Sequence, residues 1–183
     1  MDRRQKKTRR AVFDAFTKLL TKKNYANITV QEIIDEADIG RSTFYSHFET
    51  KDELLKELCR EILDHVFDDE HLKRCTYCAR SDCDKFEKIA DHILFHIGES
   101  RAYIKSLLSS ESGELFMRFF KEDLREQFSR IITFEDVDIP LDFRLNHIVC
   151  EFAETVRWWM KNDSITPNEI SRYYMRVCSL KQG

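Results

Sequence analysis

Residues that interrupt regular structure are scarce: the 183-residue chain holds four glycines and two prolines. That scarcity excludes long structureless segments and favours helices. Also missing is any apolar run near the roughly 20 residues that a membrane span needs. The basic start MDRRQKKTRR leads into an amphipathic segment and not into a signal-peptide core, so the expected location is the cytoplasm, with no membrane partner. No glycine-rich phosphate loop and no Gly-x-Ser-x-Gly elbow occurs, and no strand framework exists that would make the Cys75/Cys78 pair thioredoxin-like. An enzyme is therefore not expected.

What is present suits a globular protein with a real core: 42% of residues are hydrophobic and 34% charged. The net charge of −3 conceals an asymmetry. Residues 1–51 carry eleven Lys/Arg against seven Asp/Glu, whereas residues 52–183 carry nineteen against twenty-six. A basic end on an acidic protein is what a module contacting a polyanion would show, although solvated surfaces reach such asymmetry too.

Apolar spacing predicts helices along most of the chain, with the period lost over residues 68–84 and a break at 134–140. Val12, Phe16, Leu19 and Leu20 form one stripe over residues 3–22, with Phe13 at its margin. Thr29 and Glu32 have capping-box spacing and open a short helix that buries Ile33, Ile34 and Ala37. Asp38 can take the left-handed conformation that ends it. After a tight turn, RSTFYSHF sets Phe44 and Phe48 one way and Arg41, Ser42, Tyr45 and Ser46 largely another; two short helices joined so tightly make a helix-turn-helix. Thr50 and Glu53 repeat the capping-box spacing and open a long helix through Leu54, Leu55, Leu58, Ile62, Val66 and Phe67. Further helices are predicted at 86–97, 102–108, 115–132 and 141–160. Thr166, Pro167 and Glu169 combine an N-cap, a first-turn proline and a box glutamate to start a last helix reaching about Leu180. The fold class is all-α.

The stretch ITVQEIIDEADIGRSTFYSHFETKDELL, with its Thr43-Phe44-Tyr45-Ser46-His47-Phe48 run followed by Lys51 and Leu54, resembles the DNA-binding domain of the TetR family of bacterial transcriptional regulators. The likeness covers residues 5 to about 60. Asp38 stands where the family usually has Gly, and Gly40 where it usually has Ser or Thr; both are sterically tolerable there. The resemblance implies an amino-terminal three-helix domain (1–50) and a larger helical effector-binding and dimerisation domain (51–183), with helix 51–67 connecting them. It places the third helix in the major groove, with Arg41 and then Gln31 reading base edges. Thr43, Tyr45 and His47 match phosphate-holding positions, Ser42 and Ser46 share that surface, and Lys51 brings a positive charge to the DNA backbone. The arm Arg3, Arg4, Lys6, Lys7, Arg9 and Arg10 would lie on phosphates or in the minor groove, or be disordered in free solution.

One short recognition helix touches few base pairs, so specificity requires two copies about 34 Å apart, one DNA turn or a multiple. The implied partners are a palindromic double-stranded DNA operator, a second copy of the chain, and a small-molecule effector that changes DNA affinity, whether to repress or to activate. Phe152, Val156, Trp159, Tyr173 and Val177 are candidates for the dimer interface, and the same stripe would suit the monomer core. The run VRWWMKNDSITPNEISRYYM resembles a subgroup related to activators of dihydroxyacetone kinase genes.

No cofactor is required by this reading. HLKRCTYCARSDC nevertheless places His71, Cys75, Cys78 and Cys83 at H-x3-C-x2-C-x4-C spacing, which a zinc ion, a redox switch or an inert loop would each explain. A zinc- or redox-sensing helical adaptor is the rival function. His92 and His96 share a helix face at metal-capable spacing, and pocket lining or packing explains them as well.

Overall fold

The computed structural model describes residues 3–64, 85–109, 112–131 and 138–180. Every regular element among them is helical. The order is α1 (Arg3–Leu20), a 3-10 turn (Tyr25–Asn27), α2 (Val30–Ala37), α3 (Arg41–Tyr45), α4 (Lys51–Asp64), α5 (Lys85–Glu99), α6 (Arg101–Leu108), α7 (Gly113–Ile131), α8 (Leu141–Trp159) and α9 (Pro167–Leu180). Val66, Phe67 and the His71 to Cys83 cluster lie outside the described residues.

The stripes read from the sequence are largely the buried faces, with Ala37 of α2 half-buried where full burial was expected. Val12, Phe16 and Leu20 of α1 are fully buried, and Phe13, expected at the margin, is buried with them. Each such side chain stabilises the fold by about 1.5–3 kcal/mol. Of the stripe expected in α8, Leu145, Val149, Phe152, Val156 and Trp159 are buried against α7 and α9, and Ile148 at its edge is half-buried. Phe128 and Tyr174 meet Phe152 edge-on, with ring centroids 5.7 and 5.2 Å away. Trp159 also donates its indole N–H to the Ile165 carbonyl at 2.8 Å. Gly98 allows α5 to come close to the start of α9: a Cβ there would lie 2.7 Å from Pro167 Cγ and 3.2 Å from Trp159.

The capping boxes explain where helices begin. Around Thr166 the reciprocal pair is complete, with the Thr166 N–H donating to Glu169 at 2.9 Å and the Glu169 N–H returning to Thr166 Oγ1 at 3.3 Å. At α4 half of the expected box forms: the Glu53 N–H reaches Thr50 Oγ1 at 3.0 Å, but the Glu53 carboxylate accepts from the Glu49 N–H at 2.6 Å and not from Thr50.

Helix α1 is the structural link. It packs on α2 on one side and on α6 on the other, while α4 lies against α5 and α7. Helix α1 thus ties α2 of the helix-turn-helix to α6.

Candidate nucleic-acid interface

Local capping builds the helix-turn-helix. The Glu32 N–H donates to Thr29 Oγ1 at 3.2 Å and the Thr29 N–H to Glu32 Oε2 at 2.8 Å, so α2 starts with both partners satisfied. It ends at Asp38 in the left-handed region (φ 51°, ψ 52°), where the Ile39 N–H folds back to the Ile34 carbonyl at 3.2 Å. Gly40 then precedes α3 with an ordinary extended φ of −78° and without a side-chain cap. A Cβ at Gly40 would meet Thr43 Oγ1 at an unstrained 3.6 Å, so the turn does not depend on glycine.

Phe44 and Phe48 seat the second half of the helix-turn-helix. Both are buried, their rings 5.7 Å apart, and Phe48 meets Phe13 of α1 at 5.8 Å. The opposite face is presented to solvent: Arg41, Ser42, Tyr45 and Ser46 are exposed, and Thr43 and His47 are half-buried. Tyr45 is 50% exposed, a large aromatic left outside while Phe44 and Phe48 are buried. The Ser46 hydroxyl is engaged, donating to the Thr43 carbonyl at 2.7 Å.

Arg41 and Gln31, on different helices, are brought together. Arg41 Nη2 donates to Gln31 Oε1 at 2.9 Å, and Gln31 Nε2 donates to Asp35 Oδ1 at 2.7 Å. Sequence reasoning missed Asp35, although its i, i+4 relation to Gln31 is a spacing at which Gln and Asp side chains bond along a helix.

Lys51 is turned inward. Its ammonium donates to the carbonyls of Tyr25 and Ile28 at 2.8 and 2.7 Å and sits 4.2 Å from the Tyr25 ring centroid. Burial moves its pKa down from the usual lysine range. Tyr25 in turn donates its hydroxyl to Asp52; desolvation, then that carboxylate, push the phenol well above its ordinary pKa. Two of the three Lys51 donors thus hold the turn before α2.

The basic arm is divided. Residues from Arg3 onward are helical, Lys6 and Lys7 are exposed, and Arg9 and Arg10 face α4. Arg9 bonds Glu57 at 3.0 Å with its guanidinium over Phe13 and Phe48, 5.4 and 5.3 Å from their centroids. Arg10 pairs with Asp14 at 3.2 Å and with Glu61 at 3.7 Å. These two arginines pin α1 to α4.

Deeper in the molecule, His92 and His96 point their Nε2 atoms at each other across 2.8 Å, and His96 Nδ1 lies 3.0 Å from Glu99. One imidazole donates to the other. His96 and Tyr103 line a cleft of about 270 Å³ between α1, α4 and the α5–α6 corner, with Phe13, Leu58 and Ile62 on its floor. Burial raises the Tyr103 phenol to about 12. Among the described residues no group of three or more His, Cys, Asp or Glu is arranged to hold a metal ion, and no helix is long and apolar enough to cross a membrane.

On α8 and α9, Trp158, Tyr173 and Val177 are 50%, 43% and 49% exposed, while Phe152, Val156 and Trp159 are fully buried in the monomer. The expected interface candidates therefore divide between the monomer core and the surface, where Trp158 is exposed as well.

Two family profiles match the chain: one described as bacterial regulatory proteins of the tetR family, over residues 12–58, and one described as a transcriptional regulator C-terminal region, over residues 84–179. Residues 71–83, with the cysteine cluster, fall between them. An uncharacterized HTH-type transcriptional regulator of Bacillus subtilis, YxbF, is 42% identical over 71 residues, which span 36% of this chain and 19% of that protein. A TetR transcriptional regulator from Streptococcus agalactiae, known as a crystal structure, is 35% identical with 96% of both chains covered and a TM-score of 0.65. The dihydroxyacetone kinase operon activator DhaS shares the fold, at 18% identity and a TM-score of 0.66 over 94% of this chain and 93% of its own.

Proposed function

The chain belongs to the TetR family of bacterial transcriptional regulators and carries its DNA-binding helix-turn-helix, and from that premise we propose that it binds a palindromic operator as a homodimer in the cytoplasm and is released or recruited by a small-molecule effector. The observation that carries the reading is the solvent-facing surface of α3. Arg41, Ser42, Tyr45 and Ser46 are exposed together while Phe44 and Phe48 are buried beneath them, so an edge of polar side chains protrudes from a packed base. Arg41 with Gln31 reads base edges, Arg41 by preference guanine O6 and N7. Tyr45, Thr43 and His47 hold phosphates. Lys51 contributes charge near the backbone with the one N–H that the turn leaves to it, and Lys6 and Lys7 extend the positive surface along α1.

Dimerisation is supported by the outward Trp158, Tyr173 and Val177, since exposed large side chains on neighbouring helices mark a surface that a partner covers. The cleft between α1, α4 and α6 is where effector-driven movement passes into the DNA-binding helices: parting α4 from α1 strains the Arg9–Glu57 and Arg10–Glu61 pairs. A coupling of about 1–3 kcal/mol, roughly 5- to 150-fold in affinity, is enough to switch a gene. Residues 1–50 form the DNA-binding domain and residues from 51 onward the regulatory one. No catalytic step and no cofactor enters this scheme.

The test is selection of fragments of the source genome by the full-length protein. Recovered fragments should share two inverted half-sites whose centres lie about 34 Å apart or at a multiple of that distance. Fragments with no shared sequence, or a single half-site, would refute the proposal.

A further inference from the structure

We infer that Asp35 is a positioning residue for base reading: its carboxylate fixes which end of the Gln31 amide faces Arg41, and so holds the Arg41–Gln31 pair in one arrangement before DNA arrives. The inference rests on the proposed role of those two residues at base edges.

The hydrogen bonds run one way along the chain of three. Arg41 Nη2 donates to Gln31 Oε1 at 2.9 Å, and the other end of the same amide, Nε2, donates to Asp35 Oδ1 at 2.7 Å. A flipped amide would set its NH2 against the guanidinium and its carbonyl against the carboxylate, donor to donor and acceptor to acceptor. Asp35 therefore makes the two ends of Gln31 inequivalent. With Oε1 committed to Arg41, Gln31 offers one remaining amide hydrogen outward. Arg41 keeps four of its five N–H groups, aimed from a fixed guanidinium plane, which is what bidentate recognition of a purine edge requires.

Asp35 stands where its charge is otherwise unfavourable. It lies in the last turn of α2 (Val30–Ala37), where the helix dipole disfavours a negative charge. It is also exposed, close to the side chains that would approach a polyanion. Its removal should thus relieve repulsion toward any duplex while freeing Gln31 to rotate. Non-specific affinity and base discrimination then move in opposite directions, a pattern that general loss of structure does not produce.

The experiment compares full-length wild type, Asp35→Ala and Asp35→Asn on the duplex recovered by genomic selection, on single base-pair variants across each half-site, and on a scrambled duplex. Asparagine keeps an acceptor for Gln31 and removes the charge. Asp35→Ala should lower discrimination at the base pair read by Arg41 by about 5- to 10-fold, a part of what a bidentate contact is worth, while binding of the scrambled duplex holds or strengthens. Asp35→Asn should keep discrimination within about 2-fold of wild type and also strengthen scrambled binding. Unchanged discrimination in Asp35→Ala would overturn the inference, and so would equal losses in both variants, because the charge and not the hydrogen bond would then be acting. Wild type that prefers no duplex over the scrambled one would refute the proposed function instead, so the two failures are distinguishable. Thermal melts of both variants verify folding, which a substitution at an exposed position should leave intact.

Discussion

Replacing Lys51 by Met should cost the protein stability before it costs DNA affinity. The Lys51 ammonium makes charge-assisted hydrogen bonds to the carbonyls of Tyr25 and Ile28 at 2.8 and 2.7 Å and lies 4.2 Å from the centre of the Tyr25 ring. Hydrogen bonds to a charged group contribute about 1.5–3 kcal/mol each, and a cation over an aromatic ring about 0.5–1 kcal/mol. The site is only half-buried, so water partly replaces the lost donors, and the net cost should be about 2–3 kcal/mol. At this chain length that lowers the melting temperature by roughly 4–12 °C. One phosphate contact contributes about 0.9 to the slope of log K against log salt; with two of three donors engaged internally, Lys51→Met should change that slope by less than about half of this. Calorimetry and salt titration on the same preparation check both numbers. A melting temperature unchanged within about 2 °C, with a slope smaller by about one, would show Lys51 to be a free phosphate ligand and refute the inward assignment.

Three further outcomes follow from the packing and caps. Lys23 first, then the Thr29 backbone and hydroxyl, lower the Glu32 carboxyl from 4.5 to about 2; its contribution is thus fully present above pH 4.5 and lost as pH falls through about 2. The difference in urea midpoint between wild type and Glu32→Gln should be constant above pH 5 and vanish toward pH 2, whereas a difference growing on acidification would contradict the cap. Gly98→Ala should destabilise by about 1–3 kcal/mol in urea unfolding, because the new methyl would sit 2.7 Å from Pro167 Cγ; no change would mean that α5 and α9 are less closely packed. Tyr173→Glu combined with Val177→Glu should convert the proposed dimer to a folded monomer in sedimentation, both residues being exposed in the single chain; a dimer that survives both substitutions would place the interface elsewhere.

The parts of the fold legible in the sequence are those determined within one helical turn. Thr29 with Glu32, Thr166 with Glu169 and the left-handed Asp38 are local devices, and each has the expected geometry. Phe44 and Phe48 separate from Arg41 and Tyr45 because a 3.6-residue period alone decides which side each takes. Long side chains answer to partners far away in sequence. Lys51 points at carbonyls 26 and 23 residues earlier, and Arg9 at a carboxylate 48 residues later, so no window of sequence reveals either. The α8 stripe shows the same limit: periodicity marks Trp159 as apolar-facing, but only packing against α7 and α9 assigns Phe152, Val156 and Trp159 to the monomer core and leaves Trp158 outside. The family resemblance raised the expectation that Gln31 reads bases, whereas its attachment to both Arg41 and Asp35 required two helices placed in space.

The most direct measurement of the central claim, that the exposed face of α3 reads operator DNA, is affinity for the selected duplex as a function of salt for wild type, Tyr45→Ala and Arg41→Ala. Wild-type log K should fall steeply with log salt. Tyr45→Ala should weaken binding to every duplex alike, and Arg41→Ala should lose about 1–3 kcal/mol at its preferred base pair and little when that pair is changed. Binding that is flat in salt, or that survives both substitutions unchanged, would contradict it.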